Sequence, residues 1–401
     1  MNFVAQEREQ HEASDLSPDM RRRVDLASAV ALQHADSVDA LGRYPTEAMQ
    51  MLKEQKLLGI LVPPTIGGEG ATISTTAEVC YALGRACAST AMIYAMHQTK
   101  VACIVGHGMG STWHEEILRK LHDTQILFAS STTEGMGGGN VRSSAAAIQY
   151  NGALISLDRD ASVISYGSQA DGVVTTARRS DAAENNDQVL AVFMKEDYNL
   201  NVTGGWETLG MRGTCSGGFS LKANGVAEQI LPVPYDVIHA QTMTPVAHLL
   251  WSSVWAGIAA AAVKKAEIFV RKALRGSNGQ MPPGALHLSK AKSSLRLLRN
   301  MLSDTLDRYE RNHMDEQRSA SLDYQAALTM TKVEASELAV ATVMSCYRTC
   351  GLAGYRNDGE VSIGRHLRDV LSSPIMINND RIVSSMANTI LMSGVPATLR
   401  D

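Results

Sequence analysis

SSAAAIQYNGALISLDRDASVISYGSQADGVVTTARR, residues 143–179, sets the fold class of this chain. Its apolar runs (AAAIQY, ALISL, SVISY, DGVVTTA) are short and punctuated by turn residues, which fits strands and is too closely broken for helices. Asn151-Gly152 separates two of these runs, and both residue types tolerate the positive φ of a type I′ hairpin turn. The pattern continues through VLAVFM and FSLKA, and Asn224-Gly225 predicts a second turn of the same kind. Strands at this spacing, with no helical period between them, predict an antiparallel sheet or barrel over residues 125–240.

Outward from this stretch the period lengthens on both sides. MRRRVDLASAVALQHADSVDALGR and TTAEVCYALGRACASTAMIYAMHQTKVACIV carry apolar residues at three- and four-residue steps, broken by Pro63, Pro64, Gly67, Gly68 and Gly70. On the C-terminal side a helix is predicted over Val254–Leu274. A second follows the break at Pro282 and runs to about Arg311, with Leu295, Leu298, Leu302 and Leu306 on one face. A third covers Ser321–Cys350 and stops at Gly351, and a fourth follows Asp380. The predicted fold is α+β: an N-terminal α-helical domain (1–124), a middle antiparallel β-barrel-like domain (125–240) and a C-terminal four-helix bundle (241–401).

A chain of 401 residues with 45% hydrophobic and 19% charged residues can bury sizeable cores, which excludes a disordered or fibrous protein. Lys plus Arg number 37 against 41 acids, so no basic excess exists to neutralise phosphates and no nucleic-acid partner is expected. The six cysteines are too sparse for a disulfide framework, and no CxxC supports zinc. The polar, acid-containing start is unlike a signal peptide. The longest clearly apolar stretch, Val254–Val263, falls short of the roughly 20 residues of a membrane helix. A cytoplasmic protein with no membrane partner is the expectation.

GHGMGS (Gly106–Ser111) lacks the GK[ST] of a phosphate loop, and EGMGGGN (Glu134–Asn140) has Asn140 where GxGxxG needs its last glycine, so both read as turns. HEEIL puts Leu118 where a zinc helix needs its second His, and no GxSxG is present. His97 and His107, in or beside an Ala/Val-rich helix, read as hydrogen-bonded structural residues.

Five ordered fragments carry a resemblance. GILVPPTIGGEGAT (Gly59–Thr72) resembles the early G-x-P…GG-x-G stretch of acyl-CoA dehydrogenases. STTEGMGGGN (Ser131–Asn140) resembles their flavin loop, SVISYGSQADGVVTTAR (Ser162–Arg178) their W-I-[ST]-N-G…A-D stretch, and TLGMRGTCS (Thr208–Ser216) their LG-x-RGT-x-S. CGLAGYRNDGEVSIGRHLRD (Cys350–Asp369) is similar to their x-GG-x-GY…R-x-x-RD. Together the fragments span nearly the whole chain and resemble the acyl-CoA dehydrogenase superfamily, whose fold also includes flavin monooxygenases.

The resemblance implies FAD as cofactor, an acyl thioester substrate, an electron-transfer acceptor and a homo-oligomer, dimer or tetramer. Thr132 and Thr133 would offer backbone and hydroxyl groups to the flavin edge, and Ser165 would contact N5, where a hydroxyl can donate or accept as the ring changes redox state. Arg275 matches the Arg of the family's R-x-x-FG, with Asn278 replacing Phe and Gly279 retained; Gly351–Gly354 matches a loop given to the neighbouring subunit's cofactor. Asn379 falls where a Thr near the cofactor is usual. The family's catalytic Glu position is Ile377, and Ala247 and His248 occupy the region where a few relatives place the base instead. Asp380 is the nearest carboxylate, and reads better as a helix-start residue. The catalytic base is therefore unassigned. Three readings stand: α,β-dehydrogenation of an acyl-CoA or carrier-bound thioester, two-component flavin-dependent oxygenation, and a non-catalytic flavoprotein.

Overall fold

Ser17 opens the first helix by accepting a hydrogen bond from the Met20 N–H, with Pro18 in the first turn, where its missing N–H costs nothing. The computed structural model describes residues 16–134, 141–276, 280–313, 315–319 and 321–392. Five helices come first: α1 (Pro18–Leu41), α2 (Thr46–Glu54), α3 (Ile73–Ala86), α4 (Ala88–Gly108) and α5 (Thr112–Thr124). On α4 every residue from Ala88 to Ile104 except Met96 is buried, so this helix is a core element enclosed on all sides. Gly106 and Gly108 end α4 rather than forming the expected turn, which is left to Gly110 at φ +89°.

Among the described residues seven strands follow: β1 (Phe128–Ser131), β2 (Gln149–Asn151), β3 (Leu154–Ile164), β4 (Gly172–Arg178), β5 (Gln188–Met194), β6 (Tyr198–Gly204) and β7 (Gly217–Val226). They form two sheets, ordered β1-β4-β5 and β2-β3-β7-β6, and no closed barrel. One pairing departs from the antiparallel expectation: β1 runs parallel to β4. β1 enters from α5 and not from a hairpin, so no tight turn dictates its direction. The Asn151-Gly152 hairpin joins β2 to β3, with Gly152 at φ +63°. Asn224-Gly225 is no turn; it lies inside β7, opposite Ser156 and Ile155. Gly225 is there for room, because a Cβ would fall on Oε1 of Gln229, which accepts the Val226 N–H at 2.6 Å.

The C-terminal part runs α6 (Tyr235–Ile238), a π-turn over His239–Met243, α7 (Thr244–Gly276), α8 (Ala285–Asn312), α9 (Glu316–Ser319), α10 (Leu322–Cys350), α11 (Leu352–Tyr355), α12 (Gly364–Val370) and α13 (Asn379–Met392). Helix α10 packs on α7, α8 and α13. The helical run Tyr235–Gly276 begins well before the expected Val254. It is long and apolar enough to cross a membrane, yet 89% of its most apolar window is buried inside the protein, so it serves here as the central core helix. α7 also packs on α3, across the boundary between the N- and C-terminal helices. At that crossing the backbones touch: a Cβ on Gly84 would lie 2.5 Å from the Val254 carbonyl oxygen, and one on Gly257 would lie 2.4 Å from that of Tyr81.

His97 is structural, as expected. Its Nδ1 accepts from the Phe128 N–H at 3.1 Å, which leaves the Nε2 hydrogen for the Leu58 carbonyl at 2.9 Å. A second proton would break the first bond, and burial pushes the ring down to about 4. His107 bonds the Thr242 hydroxyl at 2.8 Å.

Two outcomes follow from this packing. Gly257→Ala should destabilise the protein by about 1–3 kcal/mol, through overpacking at the α3–α7 crossing, read as a lower midpoint in thermal unfolding. Burial also holds His114 and His239 at about 4 and His248 at about 3. Depressed folded-state values mean stability that is complete above the unfolded His value of about 6.5 and lost as pH falls toward 4. Thermal midpoints should fall steadily from pH 7 to pH 4.5, and less steeply in His97→Gln.

Candidate active site

A cavity of about 460 Å³ opens where the sheets meet α4 and the start of α7. The strand ends contribute Ser130, Thr132, Thr133, Ser162, Val163 and Ser165; the following loop adds Trp206, Met211, Thr214 and Ser216. Helix α4 contributes Met92, Met96, Thr99 and Lys100. The run from α6 into α7 supplies Tyr235, His239, Met243, Thr244, Ala247, His248 and Trp251. Ser372, Ile375, Met376 and Ile377, ahead of α13, complete the wall.

Three of the expected cofactor residues, Thr132, Thr133 and Ser165, thus share one cavity. Asn379 is buried beside it, where its amide donates to the Ser336 hydroxyl at 2.9 Å and to Glu337 at 3.0 Å. Arg275 and Gly351 are exposed, at the ends of α7 and α10, and do not line the cavity. Asn278, Gly279 and the loop residues 135–140 lie outside the described residues.

The Ser165 hydroxyl heads a directed chain. Ser165 and Ser216 oxygens are 2.7 Å apart, Ser216 and Thr214 oxygens 2.8 Å, and Thr214 donates to the Met211 carbonyl at 2.8 Å. A carbonyl can only accept, so the Thr214 proton is committed outward; Thr214 must accept from Ser216, and Ser216 from Ser165. Ser165 therefore presents lone pairs to the cavity. That polarity fits an N–H donor, which a reduced flavin ring carries and an oxidised N5 does not. With Thr132 and Thr133 on the same wall, these residues suit the edge of a flavin.

The chain is anchored from the bundle. Asp369 on α12 accepts the Met211 N–H at 2.8 Å, while Arg368 pairs with Asp39 on α1. Burial raises Asp369 to about 6. On the strand side, Glu134 pairs with fully buried Arg159 at 3.0 Å and accepts the Ala145 and Ala146 N–H groups.

No Asp or Glu lines the cavity among the described residues. Ile377, at the expected Glu position, does reach it, at a left-handed φ of +48° that costs a β-branched residue about 1–3 kcal/mol. Lys332 on α10 holds that backbone, donating to the Ile377 carbonyl at 2.8 Å and to Asn379 at 2.7 Å. Asp380 is exposed; Asn378, not Asp380, caps α13 by accepting the Asp380 N–H at 2.8 Å.

The ionisable groups on the wall include two imidazoles and an amine. His248 is pushed down to about 3, first by burial and then by Lys332, with the Leu328 backbone pulling the other way; among the described residues its Nδ1 has no hydrogen-bond partner. His239 falls to about 4 by burial, and burial lowers Lys100 to about 8.

Two family descriptions match this chain: acyl-CoA dehydrogenase N-terminal domain over residues 19–125, and acyl-CoA dehydrogenase C-terminal domain over residues 241–379. The chain belongs to the acyl-CoA dehydrogenase superfamily. It is 25% identical to cyclohex-1-ene-1-carbonyl-CoA dehydrogenase of Geobacter metallireducens, over 95% of this chain and 98% of that one. A shorter match, 35% identical over 68 residues (17% of this chain, 18% of the other), is to 3-sulfinopropanoyl-CoA desulfinase of Paraburkholderia xenovorans. In fold it is similar to FMN-bound TdsC of Paenibacillus (TM-score 0.81, 17% identity, 94% and 98% of the two chains). It is also similar to butyryl-CoA dehydrogenase of Megasphaera elsdenii (TM-score 0.78, 16% identity, 94% and 99%). As a member of this superfamily it has the fold of flavin-dependent oxidoreductases.

Lys100, His239, Met243 and Trp251 were not singled out from the sequence. A lysine in ASTAMIYAMHQTKVACIVGHG, a helix with no other Lys, Arg, Asp or Glu, is the one signal that could have marked Lys100. His239 and Met243 face the cavity from a π-turn, which no residue pattern announces.

Breaking the hydroxyl chain should be visible in the cofactor. In Ser216→Ala, Ser165 is free to turn its proton inward, so binding of reduced flavin should weaken relative to oxidised flavin. Titration of both redox states by fluorescence and absorbance checks this, with Ser216→Thr expected to restore the wild-type ratio.

Proposed function

We propose that this protein uses FAD to dehydrogenate an acyl thioester, with His248 in place of the family's carboxylate base. The observation that carries the reading is His248 on the cavity wall, in the region where a few relatives hold their base, with a buried Nδ1 that has no hydrogen-bond partner among the described residues. The end-to-end match to a thioester dehydrogenase supports it. Thr132, Thr133 and Ser165 would hold the flavin, and Arg275 and Gly351 would meet its adenylate half in a homo-oligomer. FAD held by these residues would supply a hydride acceptor for the substrate's β-carbon. His248, neutral throughout the physiological range, would receive the α-proton that the thioester carbonyl acidifies, its low proton affinity in the free site being raised by the negative charge that develops on the substrate beside it. The surrounding Met and Trp side chains exclude water.

Anaerobic mixing with a panel of acyl thioesters should bleach the bound flavin. His248→Asn should slow that bleaching about 10²–10⁴-fold and leave flavin content unchanged. Absence of bleaching with every thioester sinks the reading, and bleaching at an unchanged rate in His248→Asn removes His248 from the role.

A second reading, flavin-dependent oxygenation, is favoured by the lack of any cavity carboxylate among the described residues. Rapid mixing of the reduced, flavin-loaded protein with oxygen separates the two. A long-lived absorbance phase before the oxidised spectrum returns supports oxygenation, and direct return argues against it.

A further inference from the structure

Lys100 projects from α4 into the cavity wall with 3% of its surface exposed, and its one hydrogen-bond partner among the described residues is the Met243 thioether, at 2.8 Å. A thioether is a weak acceptor and brings no negative charge. The groups around Lys100 bring none either. Cys103, on the next turn, is raised by burial to about 12, and His239 is neutral. Lys332, the other fully buried lysine, differs in being bonded to a carbonyl, an amide oxygen and the face of Trp255. Burial lowers Lys100 only to about 8, so most of it stays cationic at neutral pH.

A buried ammonium without a counter-charge is costly, and the described residues supply no group to offset it. The open side of Lys100 is the cavity, whose walls on α4 and α7 are mainly apolar, with Met92, Met96, Ala247 and Trp251, and carry the uncharged polar groups of Thr99, Thr244 and neutral His248. A ligand with an apolar body and one anionic oxygen group satisfies both features together. We infer that the acyl group oxidised here ends in a carboxylate, which Lys100 binds inside the cavity. This rests on the thioester reading of the site, and it adds the class of acyl group: compact, apolar in its body and acidic at its end.

Benzoate and benzamide share a shape and differ in charge, so they serve as probes. Calorimetric titration of the flavin-loaded protein should show benzoate binding at least about tenfold more tightly than benzamide. Lys100→Met should abolish that difference while leaving benzamide affinity unchanged, and Lys100→Gln provides a second variant if the first folds poorly. Equal affinities, no measurable benzoate binding, or a preference that survives both substitutions would overturn the inference. Inorganic phosphate displacing benzoate at equal affinity would also overturn it, by identifying a phosphate site. Flavin content is read separately by absorbance, and the titration is repeated on flavin-free protein. A charge preference without flavin binding would leave Lys100's role standing and remove the flavin reading; flavin binding without the preference would do the reverse.

Discussion

Backbone meets backbone where α3 crosses α7, at Gly84 and Gly257, and the seating of the N-terminal helices on the bundle follows from that contact. Side chains normally hold helix axes about 8–10 Å apart. Gly84 faces the Val254 carbonyl and Gly257 that of Tyr81, which lets these helices approach until main chain meets main chain. That approach seats the N-terminal helices directly on the central helix of the bundle. It also fixes where α4 lies relative to the start of α7. The cavity is bounded by those two helices and closed by the strand ends, so its width is set at a crossing that contributes no residue to its wall.

The α–β–α order was legible because burial periodicity changes with the element. Strand β3 alternates between buried and exposed residues, and α4 is buried all round. The errors came from features that periodicity does not encode. Asn-Gly reports a permitted backbone conformation and not a required one, so Asn151-Gly152 turned and Asn224-Gly225 stayed extended to make room for Gln229. The parallel β1–β4 pairing depends on where α5 delivers the chain, a tertiary fact. The early start of the long helix was hidden by polar residues around His239 and Thr242, which the π-turn absorbs.

The site was legible in part, and mostly through resemblance. Thr132, Thr133 and Ser165 came from quoted motifs, and all three reach the cavity. The direction of the hydroxyl chain behind Ser165 did not, because it is decided by the Met211 carbonyl rather than by residue type. Ile377 was recognised as a missing carboxylate; its left-handed backbone and its hold by Lys332 were invisible. Asn379, expected near the cofactor, spends its amide on Lys332, Ser336 and Glu337 inside the bundle.

The adjacent pair Arg368–Asp369 reaches in two directions, one residue to α1 and the other to the loop that carries the hydroxyl chain. Gly210 lies close enough that a Cβ would sit 2.2 Å from the Arg368 carbonyl oxygen, so no slack separates loop from helix. A hinge motion that swung the sheets away from the bundle would first have to break a buried carboxylate bond and an ion pair together. Large-scale opening is therefore a poor route into this molecule. Traffic in and out of the cavity falls to rotamer changes of its long, unbranched wall residues, and methionine, with its low torsional barriers, is well suited to that work. The Met-rich lining would then serve as the gate, on a timescale set by side chains rather than by domains.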